Sequence, residues 1–397
     1  MGDKNLIAKI FSGVKRMPAE HTLRLVSSKG QVSEKYFASG VDFGFSAIKL
    51  AQIGIINRKP QIINLIIEEL PGDLKDHPQE RKKVVTEIFK KIVQENRIKG
   101  EVVSSMPSSL VQIKKIRLPS MPSDEVTAAV KWEMKQSSPI SLDDLAFDYY
   151  ILEQQKSALS NGIEVMTISC SKKDVLEQIA VIEVANLVPQ AIEVDYLAAV
   201  RLAVRSMQIK KEEAVLFLEF GCHSCSLSII INSQVCFKRD LAISGDTLTQ
   251  AIVEHNKVSY SEAERLKKSL GLIGADAASQ LDLDDATKES AIVTNEALWL
   301  HLENLIQEID YTFKYFSHQL IDNMITKFDR IILSGGSTNL ARFSAYLNTC
   351  LGVPVELIDP LREIYLGPEF KSKFADLSSL APRLSVAVGL AIRGLDK

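Results

Sequence analysis

The stretch GVDFGFSAIKLAQI, residues 40–53, decides how the chain is read. Val41, Phe43 and Phe45 alternate with Asp42, Gly44 and Ser46, and apolar residues resume at Ala47. That period of two around a glycine predicts a strand, a tight turn and a second strand. Alone, the pattern is an ordinary hairpin. A carboxylate, a bare backbone position and a hydroxyl within five residues are nevertheless costly in a core, because buried polar groups need partners.

The arrangement returns about 175 residues later in LEFGCHSCSLSII, residues 218–230: apolar residue, acid, Phe, Gly, small polar residues, then a strand. Two such hairpins, each opening an α/β stretch, predict a duplicated fold whose turns face each other across a cleft. A third element is ILSGGSTNL, residues 332–340, read as a strand ending at Gly335-Gly336 and running into a helix. By itself that is the generic strand–helix junction of α/β proteins. Together the three suit phosphate chemistry. A glycine turn lets backbone N–H groups approach anionic oxygens, and hydroxyls add donors. A carboxylate cannot bind phosphate directly but suits a hydrated Mg²⁺, and Lys49 offers a point charge.

The remaining composition narrows the class. With 397 residues, 46% apolar and 24% charged, the chain is long enough for two domains with ample core. A net charge of −3 leaves no electrostatic footprint for nucleic acid. No apolar run approaches the roughly 18 residues that cross a bilayer, and no secretory leader is legible. Five scattered cysteines suggest reduced thiols in a cytoplasm.

Residues 1–36 read as a tail in which LIAKIFSGVKRM (6–17) could lie on an anionic membrane surface, or be a loosely docked end. Residues 37–211 read as a first lobe of strands and helices. Within it, a small α+β unit at about 120–190 is expected from SDEVTAAVKWEMKQSSPI, FDYYILEQ, IEVMTISCS, KKDVLEQIAVIEVANL and VPQAIEVD, with Ser123 as helix cap. Residues 212–397 read as a second lobe, mainly helical and polar at 245–298, with a long helix over 297–320. A closing helix, SVAVGLAIRGL (385–395), has side chains small enough for close packing and would return to the first lobe.

In order and spacing the three motifs resemble those of the actin-like ATPase superfamily, with GVDFGFSAIK and LEFGCHSCS as phosphate hairpins and ILSGGST as the adenosine-binding turn. IEVDYLAAVRLAV (192–204) and SVAVGLAIRGL resemble its two connecting helices, and AERLKK (263–268) its ribose-contacting helix. Within the superfamily the chain is similar to the type IV pilus assembly PilM family, relatives of the division protein FtsA. SDEVTAAVKWEMKQSSPISLDDLAFDYYIL (123–152) and FDRIILSGGSTNLARFSAYLNTCLGVPVELIDPL (328–361) carry that likeness, which spans about residues 37–397. It implies two ribonuclease-H-like lobes with a small α+β subdomain inserted in the first, and ATP with Mg as ligand. Asp42 would hold Mg through water. Gly44, Ser46 and Lys49 would meet phosphates, and Glu219, Gly221 and Ser224 would form the opposite wall. Glu264 and Lys267 would hold the ribose, with Gly335, Gly336 and Ser337 at the base and α-phosphate.

The resemblance further implies a cytoplasmic, peripheral inner-membrane scaffold that binds the N-terminal peptide of a PilN-type membrane protein on the inserted subdomain. Trp132 would be either an aromatic wall of that groove or a core residue. FtsA-like self-association is also admitted, although nothing in the residues themselves shows it. Three departures favour nucleotide binding over hydrolysis: Glu219 stands where Asp is usual, Cys-His-Ser-Cys follows Gly221, and Phe45 replaces a small polar residue. The alternatives are a small-molecule kinase of the same superfamily, for which no substrate motif is visible, and an FtsA-like division tether. Cys222 and Cys225 form a lone CxxC without a second ligand pair, better read as small hydrophobes. LDLDD (281–285) reads as a polar linker, and His255, His301 and His318 share no site spacing.

Overall fold

The computed structural model describes residues 36–72, 77–138, 140–152, 162–272, 285–319, 327–368, 370 and 377–396. The N-terminal tail, Pro139 and nearly all of the LDLDD run lie outside the described residues. The chain divides into two units, the first drawn from residues 1–208, 359–377 and 384–397, the second from 209–358 and 378–383.

In the first unit the alternating stretch forms β1 (Tyr36–Phe43) and β2 (Ala47–Ile56), and β3 (Lys59–Glu69) completes an antiparallel meander. Helix α1 (Pro78–Glu95) starts on a proline, whose missing N–H costs nothing at a helix start. It leads to β4 (Glu101–Met106), parallel to β1. Phe89, Ile92 and Val93 of α1 pack with Val41, Ile48 and Leu50 of the sheet, the main core on that face. Burying such side chains stabilises the fold by about 1.5–3 kcal/mol each.

The chain then leaves this sheet. Strands β5 (Gln112–Leu118), β6 (Leu145–Ile151) and β7 (Ile163–Ser171) form a separate antiparallel sheet in the order β5-β7-β6. Helix α2 (Val126–Ser137) seals it, with Val126, Val130 and Met134 against Ile116, Leu145, Tyr149 and Val165. This small subdomain spans residues 112–171, which corrects the expected 120–190. Helix α3 (Lys172–Val184) and β8 (Val188–Val194) belong to the larger sheet instead: β8 runs parallel to β4, and Val181, Ile182 and Leu187 lie in the core with α1. Strand alternation tells which residues share a face, not which sheet a strand joins. Ser123 is likewise no cap; Glu125 holds that position without a side-chain bond. Helix α4 (Asp195–Ser206) follows directly, nearly all buried.

The second unit repeats the scheme. Strands β9 (Val215–Phe220), β10 (Cys225–Ile231) and β11 (Gln234–Leu241) form an antiparallel meander. Helices α5 (Gly245–Asn256), α6 (Tyr260–Leu270) and α7 (Asp285–Gln319) precede β12 (Arg330–Ser334), parallel to β9. Helix α7 starts about twelve residues before the helix expected from the sequence. A short turn at Gly336–Asn339, α8 (Phe343–Leu351) and β13 (Val355–Leu357) close the unit. The sheet orders, β3-β2-β1-β4-β8 and β11-β10-β9-β12-β13, are the same pattern.

The last helix, α9 (Ser385–Leu395), falls in the first unit, and so do residues 359–377, which the sequence reading places in the second lobe. Only 378–383 return to the second. Helix α9 lies so closely on the sheet that a Cβ on Gly40 would stand 2.2 Å from the Ala387 carbonyl oxygen, and so closely on α4 that one on Gly389 would stand 2.1 Å from that of Ala198. Buried Glu193 of β8 joins Arg201 of α4 (2.6 Å) and Arg393 of α9 (3.3 Å). Burial opposes its charge, but the two guanidiniums hold its carboxyl below the ordinary value. Among the described residues no helix is long and apolar enough to cross a membrane.

Candidate functional site

The hairpin of the first unit is organised by charge. The register of β1 and β2 sets Asp42 opposite Lys49, and the ammonium lies 2.9 Å from Oδ2. Ser105, at the end of β4, donates to Asp42 Oδ1 (3.0 Å) and accepts from the Phe43 N–H (3.2 Å). Asp42 is 7% exposed and would be costly to bury without these partners. Arg81 of α1 donates to the Gly44 carbonyl (2.8 Å), with its guanidinium 4.5 Å over the Phe45 ring. Gly44 leaves room that the fold itself uses, since a Cβ there would lie 2.5 Å from Lys49 Nζ. The Ser46 carbonyl accepts from Leu70 N–H, tying the turn to the end of β3. Asp195, at the start of α4, accepts from the Ser108 N–H (3.0 Å).

Ser105, Arg81 and Asp195 were not singled out from the sequence. A signal existed for the first: the Ser104-Ser105 pair at the carboxyl end of a parallel strand, where α/β folds place ligands. Nothing local marks Arg81, which reaches the turn across 37 residues.

The hairpin of the second unit is organised by backbone. Gly221 N–H donates to the Ser224 carbonyl (2.9 Å), and the Gly221 carbonyl accepts from Gly245 N–H (3.0 Å) and Ser337 Oγ (2.9 Å). One carbonyl thus joins the hairpin, the first turn of α5 and the glycine turn. Gly335 has φ +92°, and a Cβ there would stand 2.4 Å from the Phe220 carbonyl oxygen, so only glycine fits. Its N–H donates to the Pro382 carbonyl, and the Arg383 stem lies against Gly336. Ser224 is exposed. Glu219 holds the place in β9 that Asp42 holds in β1, but it pairs in register with Ser226 and Ser334 rather than with a lysine.

Glu264 and Lys267 converge on the same helix start. Lys267 Nζ is 2.7 Å from Glu264 and donates to the Gly245 carbonyl (2.8 Å) and Thr249 Oγ1 (2.6 Å). Lys267 is 9% exposed and works as a strut between α5 and α6. Glu264 also accepts from Thr249 and pairs with Lys268. Burial opposes ionisation of Glu264, but Lys267, Thr249 and Lys268 hold its carboxyl below the ordinary value.

The structure therefore gathers Asp42, Gly44, Ser46 and Lys49 in one unit. In the other it gathers Glu219, Gly221, Ser224, Glu264, Lys267, Gly335, Gly336 and Ser337. Cys225 lies in the second core, where burial pushes its thiol up, the state of a small hydrophobe. Among the described residues no group of three His, Cys, Asp or Glu could hold a metal. An ion at Asp42 would have to rely on water and a ligand's own oxygens. Trp132 is 59% exposed, so it is not a core residue of the small subdomain.

Comparison with known proteins accords with these halves. Residues 40–395 match the family model of the type IV pilus assembly protein PilM. A solved structure, "PilM-PilN type IV pilus biogenesis complex", superposes with a TM-score of 0.73 at 23% identity, covering 92% of this chain and 100% of that one. The ethanolamine utilization protein EutJ from Carboxydothermus hydrogenoformans matches at a TM-score of 0.48 and 13% identity, covering 98% of this chain and 96% of that one. MreB 5 of Spiroplasma citri bound to AMPPNP matches at 0.45 and 13%, covering 91% and 96%. The fold is shared with that PilM-PilN structure, and the chain belongs to the type IV pilus assembly protein PilM family.

Proposed function

We propose that this chain is a nucleotide-binding scaffold of a type IV pilus assembly platform, working at the cytoplasmic face of the inner membrane. It would bind ATP with a hydrated Mg²⁺ and dock the N-terminal peptide of a PilN-type membrane protein. The duplicated acid-Phe-Gly hairpin carries the reading, because each copy holds the same place in a like sheet and each is fixed before any ligand arrives. Preorganised groups lose little freedom on binding. Asp42, once shared with an incoming ion's waters, would leave Lys49 for phosphate oxygens. Gly44 and Ser46 would serve the phosphates from the same turn, and Glu219, Gly221 and Ser224 from the second. Gly335, Gly336 and Ser337 would flank the base and α-phosphate. Glu264, more open than Lys267, would be the ribose contact, with Lys267 fixing it. The nucleotide would act by favouring one conformation over another, which requires only differential affinity.

The peptide site would be the subdomain of residues 112–171, with Trp132 on the exposed side of α2 as an apolar wall. Calorimetry of the full chain with MgATP, with and without a synthetic partner peptide, tests both parts. The expected results are nucleotide binding lost in Asp42→Ala and peptide binding weakened in Trp132→Ala. Unchanged affinities in both variants would reject the two assignments. Phosphate transfer to a small metabolite would replace them with a kinase.

A further inference from the structure

Helices α1 and α3 lie side by side on one face of the first sheet, linked by the Lys82–Glu177 ion pair, yet their outer surfaces differ in character. Along α1 the positions Gln79, Lys83, Glu87 and Lys91 recur every fourth residue and are exposed, the polar face expected of a surface helix. Along α3 the same repeat reads Leu176, Ala180 and Val184, also exposed, with Leu176 at 40% and Val184 at 47%. Val175, Ile179 and Ile182 on its other side are buried. Helix α3 is thus apolar all round, the pattern of a helix covered on both sides. The stripe continues into Val188 at the start of β8, 56% exposed. Strands β1, β4 and β8 run parallel and so begin at one end of the sheet, and α3 reaches that end at Val184. Phe37, near the start of β1 and exposed, shares a face with Val41 and hence with α1 and α3. The chain therefore enters the sheet at the end where the stripe lies.

We propose that residues 6–17 of the same chain dock as a helix on this outer face of α3. In LIAKIFSGVKRM the apolar residues Leu6, Ile7, Ile10, Phe11 and Val14 recur at helical spacing. Ile7 to Val14 and Leu176 to Val184 each cover about two helical turns, so the two apolar faces match in length. A chain as long as residues 18–35 spans at most about 60 Å, well beyond the two strand spacings of about 4.8 Å that separate β1 from β8. Attachment at the near end of the stripe also sets the direction. Lys15 and Arg16, next to the linker, fall beside Val184, where exposed Glu183 and Glu101 supply opposite charge. Leu6 and Ile7 then reach Leu176. Tethering holds the segment at a local concentration of about millimolar, so a small apolar contact suffices. The docking needs no nucleotide and stands apart from the roles given above to the hairpins.

Hydrogen exchange of the full chain without ligand, read by mass spectrometry, tests the contact. In wild type the amides of residues 7–16 should exchange at least about tenfold more slowly than in a free peptide of the same sequence, equally in dilute and concentrated protein. Leu176→Lys and Val184→Lys, each placing a charge on the stripe, should abolish that protection. Phe11→Asp should do the same while leaving α3 unaltered, which keeps the test decisive if a helix variant fails to fold. Protection absent from wild type, or present and unchanged in the variants, overturns the proposal. Protection that rises with protein concentration makes a second copy the occupant. Protection that appears only with phosphatidylglycerol vesicles makes a lipid surface the segment's partner. Either of these results also overturns the proposal.

Discussion

The two hairpins share a frame, VDFG and LEFG, yet are braced by different physics. The first is held by side chains: Lys49 and Ser105 on Asp42, and Arg81 on Gly44 and Phe45. The second is held by main chain and sterics, with Gly245, Ser337 and Gly335 packed around the Gly221 carbonyl and Phe220. A duplicated topology thus fixes where an acid-glycine turn stands but not what supports it. The first turn should answer to changes of charge and the second to changes of volume.

The largest effect should come from the second turn. Gly335→Ala adds a Cβ that the Phe220 backbone cannot move away from, at a φ that L-residues avoid, and should cost about 3 kcal/mol in denaturant unfolding. A loss under 1 kcal/mol would break the steric half of the comparison. Next, Lys49→Met leaves Asp42 buried with Ser105 alone and should cost about 2 kcal/mol, discounted because the pair is not wholly buried. The same variant should be restored by adding Asp42→Asn, a rescue the second hairpin cannot offer because no lysine stands opposite Glu219. Arg81→Ala removes the hydrogen bond to the Gly44 carbonyl and the cation–π contact with Phe45, together about 1 kcal/mol, and should speed amide exchange in the first turn only.

The smallest effect is a pH dependence confined to the second unit. The Glu264 carboxyl is held below its ordinary value, so the unfolded chain takes up the proton more readily. Its stabilising contribution is complete above about pH 4.3, the unfolded value. It is lost as the pH falls through the lower folded value. Glu264→Gln should therefore flatten the acid limb of a melting-temperature profile while leaving the neutral limb little changed. A profile parallel to wild type at every acid pH would count against the Lys267–Thr249–Lys268 bracing.

Much of the local geometry of the candidate site was legible because its signals are local. Asp42, Gly44, Glu219, Gly221 and Gly335 sit in strand-turn patterns a few residues long, where alternation and glycine speak directly. Arg81 and Ser105 were not legible as partners, since they reach the hairpin from 37 and 63 residues away. Lys267 was legible as a residue but not in its direction; only the α5–α6 packing turns it onto Gly245.

By itself the sequence determined the elements and their duplication, because hydrophobic period, turn glycines and the repeated acid-Phe-Gly frame are properties of short segments. Tertiary structure alone decided which sheet β5 and β8 joined, which core α3 covers, which surfaces α9 meets, and which partners satisfy each buried charge. The reason is that a residue's pattern fixes its own backbone and exposed face, whereas sheet membership and charge pairing depend on which distant segments compete for the same surface.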